Sequence, residues 1–119
     1  MPRLTARIAS ALALALAATA ALADGVLSRA EIEDALYARS WKHFDAEGAP
    51  ASNTFRPGGR LEVRPERGDA VSVGRFRFEG DRICIRMDAS GVERCWQVSA
   101  RDDALIFSAG DRRNILTRR

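Results

Sequence analysis

The chain has 119 residues with a formal net charge of +3, and 18 of its 19 basic residues are arginine. That length suits one small domain rather than two. Its 16 acidic residues are interleaved with the basic ones, so no basic stripe of the kind that grips nucleic acid stands out, and nucleic-acid binding is set aside.

Residues 1–23 carry Arg3 and Arg7, then a nearly unbroken Ala/Leu run, then Ala21-Leu22-Ala23 ahead of Asp24. A basic start, a short apolar core and a small-x-small end are the marks of a secretory signal peptide, cleaved after Ala23. The apolar run is short for a membrane span, which needs roughly 20 residues, and no later stretch is apolar enough to cross a bilayer. Cleavage removes Arg3 and Arg7, so the mature chain, residues 24–119, is a single small β-rich domain of charge +1. The expected location is the periplasm or the medium.

"LSRAEIEDALYAR" (27–39) opens with Ser28 and Glu31 at capping-box spacing, and Leu27 and Ile32 are spaced as the hydrophobic staple around them. Ile32, Ala35 and Leu36 fall on one face of a helix of about ten residues, too short to be stable alone. From Trp41 the helical period gives way to short β-type segments near 40–45, 53–56, 60–63, 71–78, 82–88, 92–99, 104–108 and 114–117. Gly, Pro and Asp clusters separate them. The expected fold is α+β and mainly β: a short N-terminal helix, then a seven- or eight-stranded antiparallel meander or small lipocalin-like barrel.

Both cysteines fall in "GRFRFEGDRICIRMDASGVERCW" (74–96). A two-residue turn at Gly80-Asp81 sets Phe78 against Ile83, Phe76 against Ile85 and Arg77 against Cys84. A second hairpin with its tip at Ala89-Ser90 sets Met87 against Val92, Arg86 against Glu93, Ile83 against Trp96 and Cys84 against Cys95. The two turns agree on one inward face: Phe76, Phe78, Ile83, Ile85, Met87, Val92, Trp96 and Val98. A slip of one residue would scatter that face. The cysteines become direct neighbours on adjacent strands, and in an exported protein such a pair is a disulfide. The simplest count places them at a hydrogen-bonded position of the ladder.

The residues available for chemistry are few. His43 is the one histidine, on a strand-like segment, and with the cysteines committed to each other no metal site is expected. No serine sits in a nucleophile-elbow context, and "RPGGR" (56–60) lacks the ending of a phosphate loop. No catalytic residue and no cofactor is expected. Two features point to binding. Arg94 falls on the inward face between Val92 and Trp96, where a guanidinium needs a partner. Arg75, Arg77, Arg82 and Arg86 share the outward face, beside Asp88 and Glu93. Candidate ligand or partner contacts are therefore Trp41, Arg75, Arg86, Arg94 and Trp96.

The block Gly74, Phe76, Phe78, Gly80, Asp81, Ile83, Cys84, Cys95, Trp96 and Val98 resembles a signature of small exported alphaproteobacterial proteins, domains of unknown function. There it reads as G-x-[WF]-x-[VF]-x-G-D-x-[LI]-C, a turn, then C-[WYF]-x-V, and Phe76 stands where Trp is more usual. The resemblance implies a periplasmic β-meander with no assigned chemistry. A looser likeness is to small barrel inhibitors of secreted metalloproteases, which are also exported and singly disulfide-bonded; Trp41 echoes the tryptophan of their first strand. The leading expectation is a non-catalytic cell-envelope module that binds a protein or another envelope component. The alternatives are an inhibitor of an extracytoplasmic protease or lysozyme, and a small-ligand carrier with a pocket lined by Trp96, Arg94 and Phe78.

Overall fold

A computed structural model describes residues 24–45 and 47–118. The signal-peptide expectation for residues 1–23 lies outside the described residues. In chain order the elements are β1 (Gly25–Val26), α1 (Arg29–Ala38), β2 (Trp41–Phe44), β3 (Pro50–Arg56), β4 (Arg60–Pro65), β5 (Ser72–Glu79), β6 (Arg82–Met87), β7 (Glu93–Arg101), β8 (Ala104–Ala109) and β9 (Arg112–Leu116).

Strands β2 to β9 pair antiparallel with their sequence neighbours. The two ends of this meander meet at a bridge between Lys42 and Thr117. Each residue's N–H donates to the other's carbonyl at 2.8 Å. The result is a nearly closed eight-stranded barrel. Strand β1 was not anticipated. It pairs with β7 at Ala100 and Ser99, along the stretch of β7 that lies beyond its ladder with β6, which stops at Gln97. None of the described helices is long and apolar enough to cross a membrane.

The helix forms where the capping box places it. Ser28 Oγ accepts from Glu31 N–H at 3.2 Å, and Glu31 Oε1 accepts from Ser28 N–H at 2.8 Å. Arg29 N–H donates to Asp81 in the β5–β6 turn at 2.9 Å, which fixes the helix start to the barrel. Leu27 and Ile32 are both buried, as the staple requires. Tyr37 packs on Phe76, and the Arg29 guanidinium lies 4.8 Å from the centre of the Phe78 ring. The helix thus touches several strands at one end of the barrel and stoppers that end. Its Ile32, Ala35 and Leu36 join one apolar cluster with Trp41, Phe55, Leu61, Phe76, Ile83, Trp96, Val98, Leu105 and Phe107.

Turn chemistry sets the strand boundaries. Between β7 and β8, Asp102 and Asp103 both adopt positive φ (52° and 64°), the pair of left-handed residues that a type I′ hairpin turn demands and that Asp tolerates. Two glycines allow close approaches instead. A Cβ on Gly59 would lie 2.8 Å from the Phe76 carbonyl oxygen, and one on Gly74 would lie 2.7 Å from Met87 Sδ and 2.8 Å from the Arg86 carbonyl oxygen. Gly74 is buried between Leu61 and Met87, so β4, β5 and β6 can crowd together there.

The register expected around the cysteines is found: Phe78 with Ile83, Phe76 with Ile85, Arg77 with Cys84, Ile83 with Trp96, Cys84 with Cys95 and Arg86 with Glu93. Met87 and Val92 do not continue that ladder. Gly91, at φ 67°, turns its N–H onto the Met87 carbonyl at 2.9 Å. The ladder ends there, and Val92, at the rim of the barrel, is 59% exposed. Strand β3 also begins at Pro50, three residues before the expected segment, because Ala51 continues the inward alternation of Asn53 and Phe55.

Cys84 and Cys95 form a disulfide. Their Cα atoms are 3.8 Å apart, nearer the narrow, non-hydrogen-bonded class of antiparallel pair than the wide class that the simplest count gives. The bridge faces outward, yet Cys84 is fully buried. Arg77 on β5 reaches across β6 to Glu93 on β7, with bonds of 2.9 and 2.7 Å, and also pairs with Glu79 at 2.9 Å. These hydrogen bonds raise the Arg77 pKa and lower that of Glu93.

Candidate functional site

The end of the barrel opposite the helix is open. A cavity of about 550 Å³ enters there, a size ordinary for small-molecule sites. Its floor is apolar and buried: Phe55, Leu61, Trp96, Phe107 and Leu116. Above the floor stand half-buried Val63, Ile85 and Met87, with His43, Asn53 and Arg94 among them. Exposed Ser72, Ser90, Val92 and Asn114 form the mouth.

Strand periodicity explains this gradient. Inward side chains recur every second residue. On five strands the inward residue one step toward the mouth from an inward core position is polar: His43 beyond Trp41, Asn53 beyond Phe55, Ser72 beyond Gly74, Arg94 beyond Trp96 and Asn114 beyond Leu116. On β4 and β6 the corresponding residues, Val63 and Met87, are apolar. The barrel interior is therefore amphipathic along its length, dry beneath the helix and mixed near the opening.

The polar groups of the wall are differently engaged. Asn53, buried, donates from Nδ2 to the Trp41 carbonyl at 3.2 Å and to His43 Nδ1 at 2.6 Å. Both amide protons are thereby used, so Nδ1 of His43 is the acceptor and its ring proton sits on Nε2. Burial pushes the His43 pKa below the usual histidine value, against the opposing pull of Asp45. Protonating Nδ1 would also set two donors against each other.

Because unfolded His43 takes up its proton first as the pH falls, stability is expected to decline as pH drops through about 6.5. Thermal unfolding followed by circular dichroism between pH 7.5 and pH 5 checks this, and His43→Gln should flatten the slope. The carboxylates held low by arginine hydrogen bonds, Glu62 and Glu93, act only in more acid solution.

Among the described residues Arg94 is the one charged side chain of the cavity lining. Its guanidinium carbon lies 6.0 Å from the centre of the Trp96 ring. Among the described residues it forms no ion pair with a carboxylate. Of the acidic residues in the turns at this end, Asp45 accepts from the Glu47 and Ala49 N–H groups and Glu66 pairs with Lys42 at 2.8 Å, while Asp69, Asp88 and Asp111 are exposed and do not line the cavity.

Of the residues singled out from sequence, Arg94 and Trp96 meet in the cavity. Trp41 lies beneath it, 1% exposed, with its indole N–H donating to the Ala35 carbonyl at 3.0 Å. Phe78, expected in the pocket wall, packs instead at the helix end under Arg29. Arg75 and Arg86 lie outside the barrel, directly opposite each other on β5 and β6 and continuing a row from Arg60 on β4. The sequence reading missed Asn53, Ser72, Ser90 and Asn114. The signal that finds three of them is the polar step at one end of an inward row. Glu79 lies close to the two cysteines, but a bridged pair offers no thiolate to a metal. No family model, curated protein or solved structure matches the chain.

Proposed function

We propose that the protein is an exported, non-catalytic carrier or sensor that holds one small molecule in the open end of its barrel. The observation that carries this reading is the cavity itself: an apolar floor, a few convergent polar groups and a mouth ringed by hydroxyl and amide side chains. That is the general constitution of a small-molecule site. The Cys84–Cys95 bridge supports an oxidising compartment, in keeping with a cleaved leader ending at Ala23. A lipocalin-like use of the barrel interior fits an architecture in which one end is stoppered and the other is not.

The test is binding of N-phenyl-1-naphthylamine, an uncharged apolar dye whose emission rises in dry surroundings. The expected result is saturable binding at one dye per chain. Val63→Phe, which adds bulk to the cavity wall, should weaken it at least about tenfold, as expected for overfilling a packed site. A folded native protein that leaves the dye emission unchanged would count against the reading.

A second reading, an envelope interaction module, draws on the outer surface. Arg60, Arg75 and Arg86 stand in one row across three strands. Like charges directly opposed in a sheet are unfavourable, and an acidic partner docked there would relieve them.

A further inference from the structure

The cavity's charge identifies a ligand class, an inference that rests on the carrier reading above. We infer that the cavity takes a monocarboxylate with an apolar chain or ring, its tail toward Phe55 and Phe107 and its carboxylate at Arg94.

A guanidinium cannot be discharged by losing a proton in a protein. Arg94 is half-buried on the wall of a largely apolar space, its neighbour Trp96 forms part of the floor, and none of the carboxylates lines that space. A charge so placed loses part of its hydration, and a counter-charge is the normal remedy. The carboxylates of the turns at this end do not serve that purpose: Asp45 and Glu66 are held by their own partners, and Asp69, Asp88 and Asp111 are exposed and outside the cavity lining. A ligand is left to supply the anion.

The number of charges limits which anion. The lining offers one guanidinium and a histidine whose Nδ1 is already an acceptor. One positive charge balances one negative charge. A phosphate near pH 7 approaches two negative charges and would leave an excess in a site of low polarity. A carboxylate carries one, and its two oxygens match the fork of the guanidinium. The orientation follows from the gradient of the wall. Arg94 stands one inward step nearer the opening than Trp96, so the molecule enters tail first and keeps its head at the level of Asn53 and His43.

Calorimetric titration of the folded protein at pH 7 with octanoate, octanol and octylammonium tests this, because the three share a tail and differ in head charge. Octanoate is expected to bind at least about tenfold more tightly than octanol, the usual effect of a charge-assisted hydrogen bond, and octylammonium should bind most weakly. Arg94→Gln should bring octanoate to the level of octanol and leave octanol unchanged, while Arg94→Lys should keep part of the preference. If Arg94→Gln does not fold, the order of the three ligands on the native protein decides alone. Octanol binding as tightly as octanoate would overturn the inference and leave the carrier reading standing. Failure of all three ligands, with no binding of the uncharged dye, would remove both.

Discussion

Trp41→Ala is expected to lower stability by about 3–5 kcal/mol, the range for a large buried aromatic, and to cost more than Trp96→Ala. The sequence favours the opposite order, since alternation near the start of the sheet is ambiguous and Trp96 sits in the best-defined register. The structure gives the reason for the reversal. Trp41 is 1% exposed and Trp96 6%, but the larger difference is in what each side chain holds.

Trp96 forms cavity floor, so its loss enlarges a space that already exists. Trp41 joins the barrel to α1. That helix ends at Ala38 with Arg39 in an extended conformation and no basic residue in its last turn, so its final carbonyls lack the usual caps. The Trp41 indole supplies one donor, to the Ala35 carbonyl. Trp41→Phe should keep most of the packing and lose about 1 kcal/mol for that hydrogen bond. Urea unfolding followed by far-ultraviolet circular dichroism compares the three variants without relying on tryptophan emission. Equal midpoints for Trp41→Ala and the native protein would mean that the helix does not dock where it is described.

Removing both cysteines, Cys84→Ala with Cys95→Ala, is expected to cost roughly 2–3 kcal/mol. The bridge spans 11 positions, a short loop for which chain-entropy arguments give a gain near the lower end of the usual range. Because β6 and β7 are already paired by register, the double variant should still fold, and its unfolding midpoint measures the bridge. Labelling of the native protein without reductant should find no free thiol, since both sulfurs are bonded. A double variant as stable as the native protein would assign the hairpin's stability to its side chains, with Arg77, Glu79 and Glu93 above and Ile83 and Trp96 below.

The legible parts of the fold were those governed by local rules. Ser28 and Glu31 act over three residues, and the Gly80 turn sets the β5–β6 ladder by counting alone. The pairing of Cys84 with Cys95 followed from two such counts. Less legible were features set by distant parts of the chain. Val92 reads as a core residue by parity, but the ladder ends at Arg86–Glu93 and leaves it exposed at the cavity mouth. Strand β1 is two residues long and exists because β7 outruns β6, a length mismatch no local pattern states. The cavity was half visible. Arg94 stood out as an inward charge, whereas Asn53 and Asn114 look like ordinary strand-end polar residues until five strands are laid side by side. Closure could not be read either, since nothing in "WKHF" or "NILT" says that the two will meet.

That meeting place has its own consequence. Neighbouring strands elsewhere in the barrel share ladders of several residues, six on β5–β6, whereas among the described residues β2 meets the end of β9 at an isolated bridge from Lys42 to Thr117, one residue past the strand. The least-laced joint of a closed sheet is the first to part when the molecule breathes. His43 stands on one side of this seam and Asn114 and Leu116 on the other, all three in the cavity wall. Opening the seam would therefore widen the chamber while the disulfide hairpin of β6 and β7 stays paired by its own ladder.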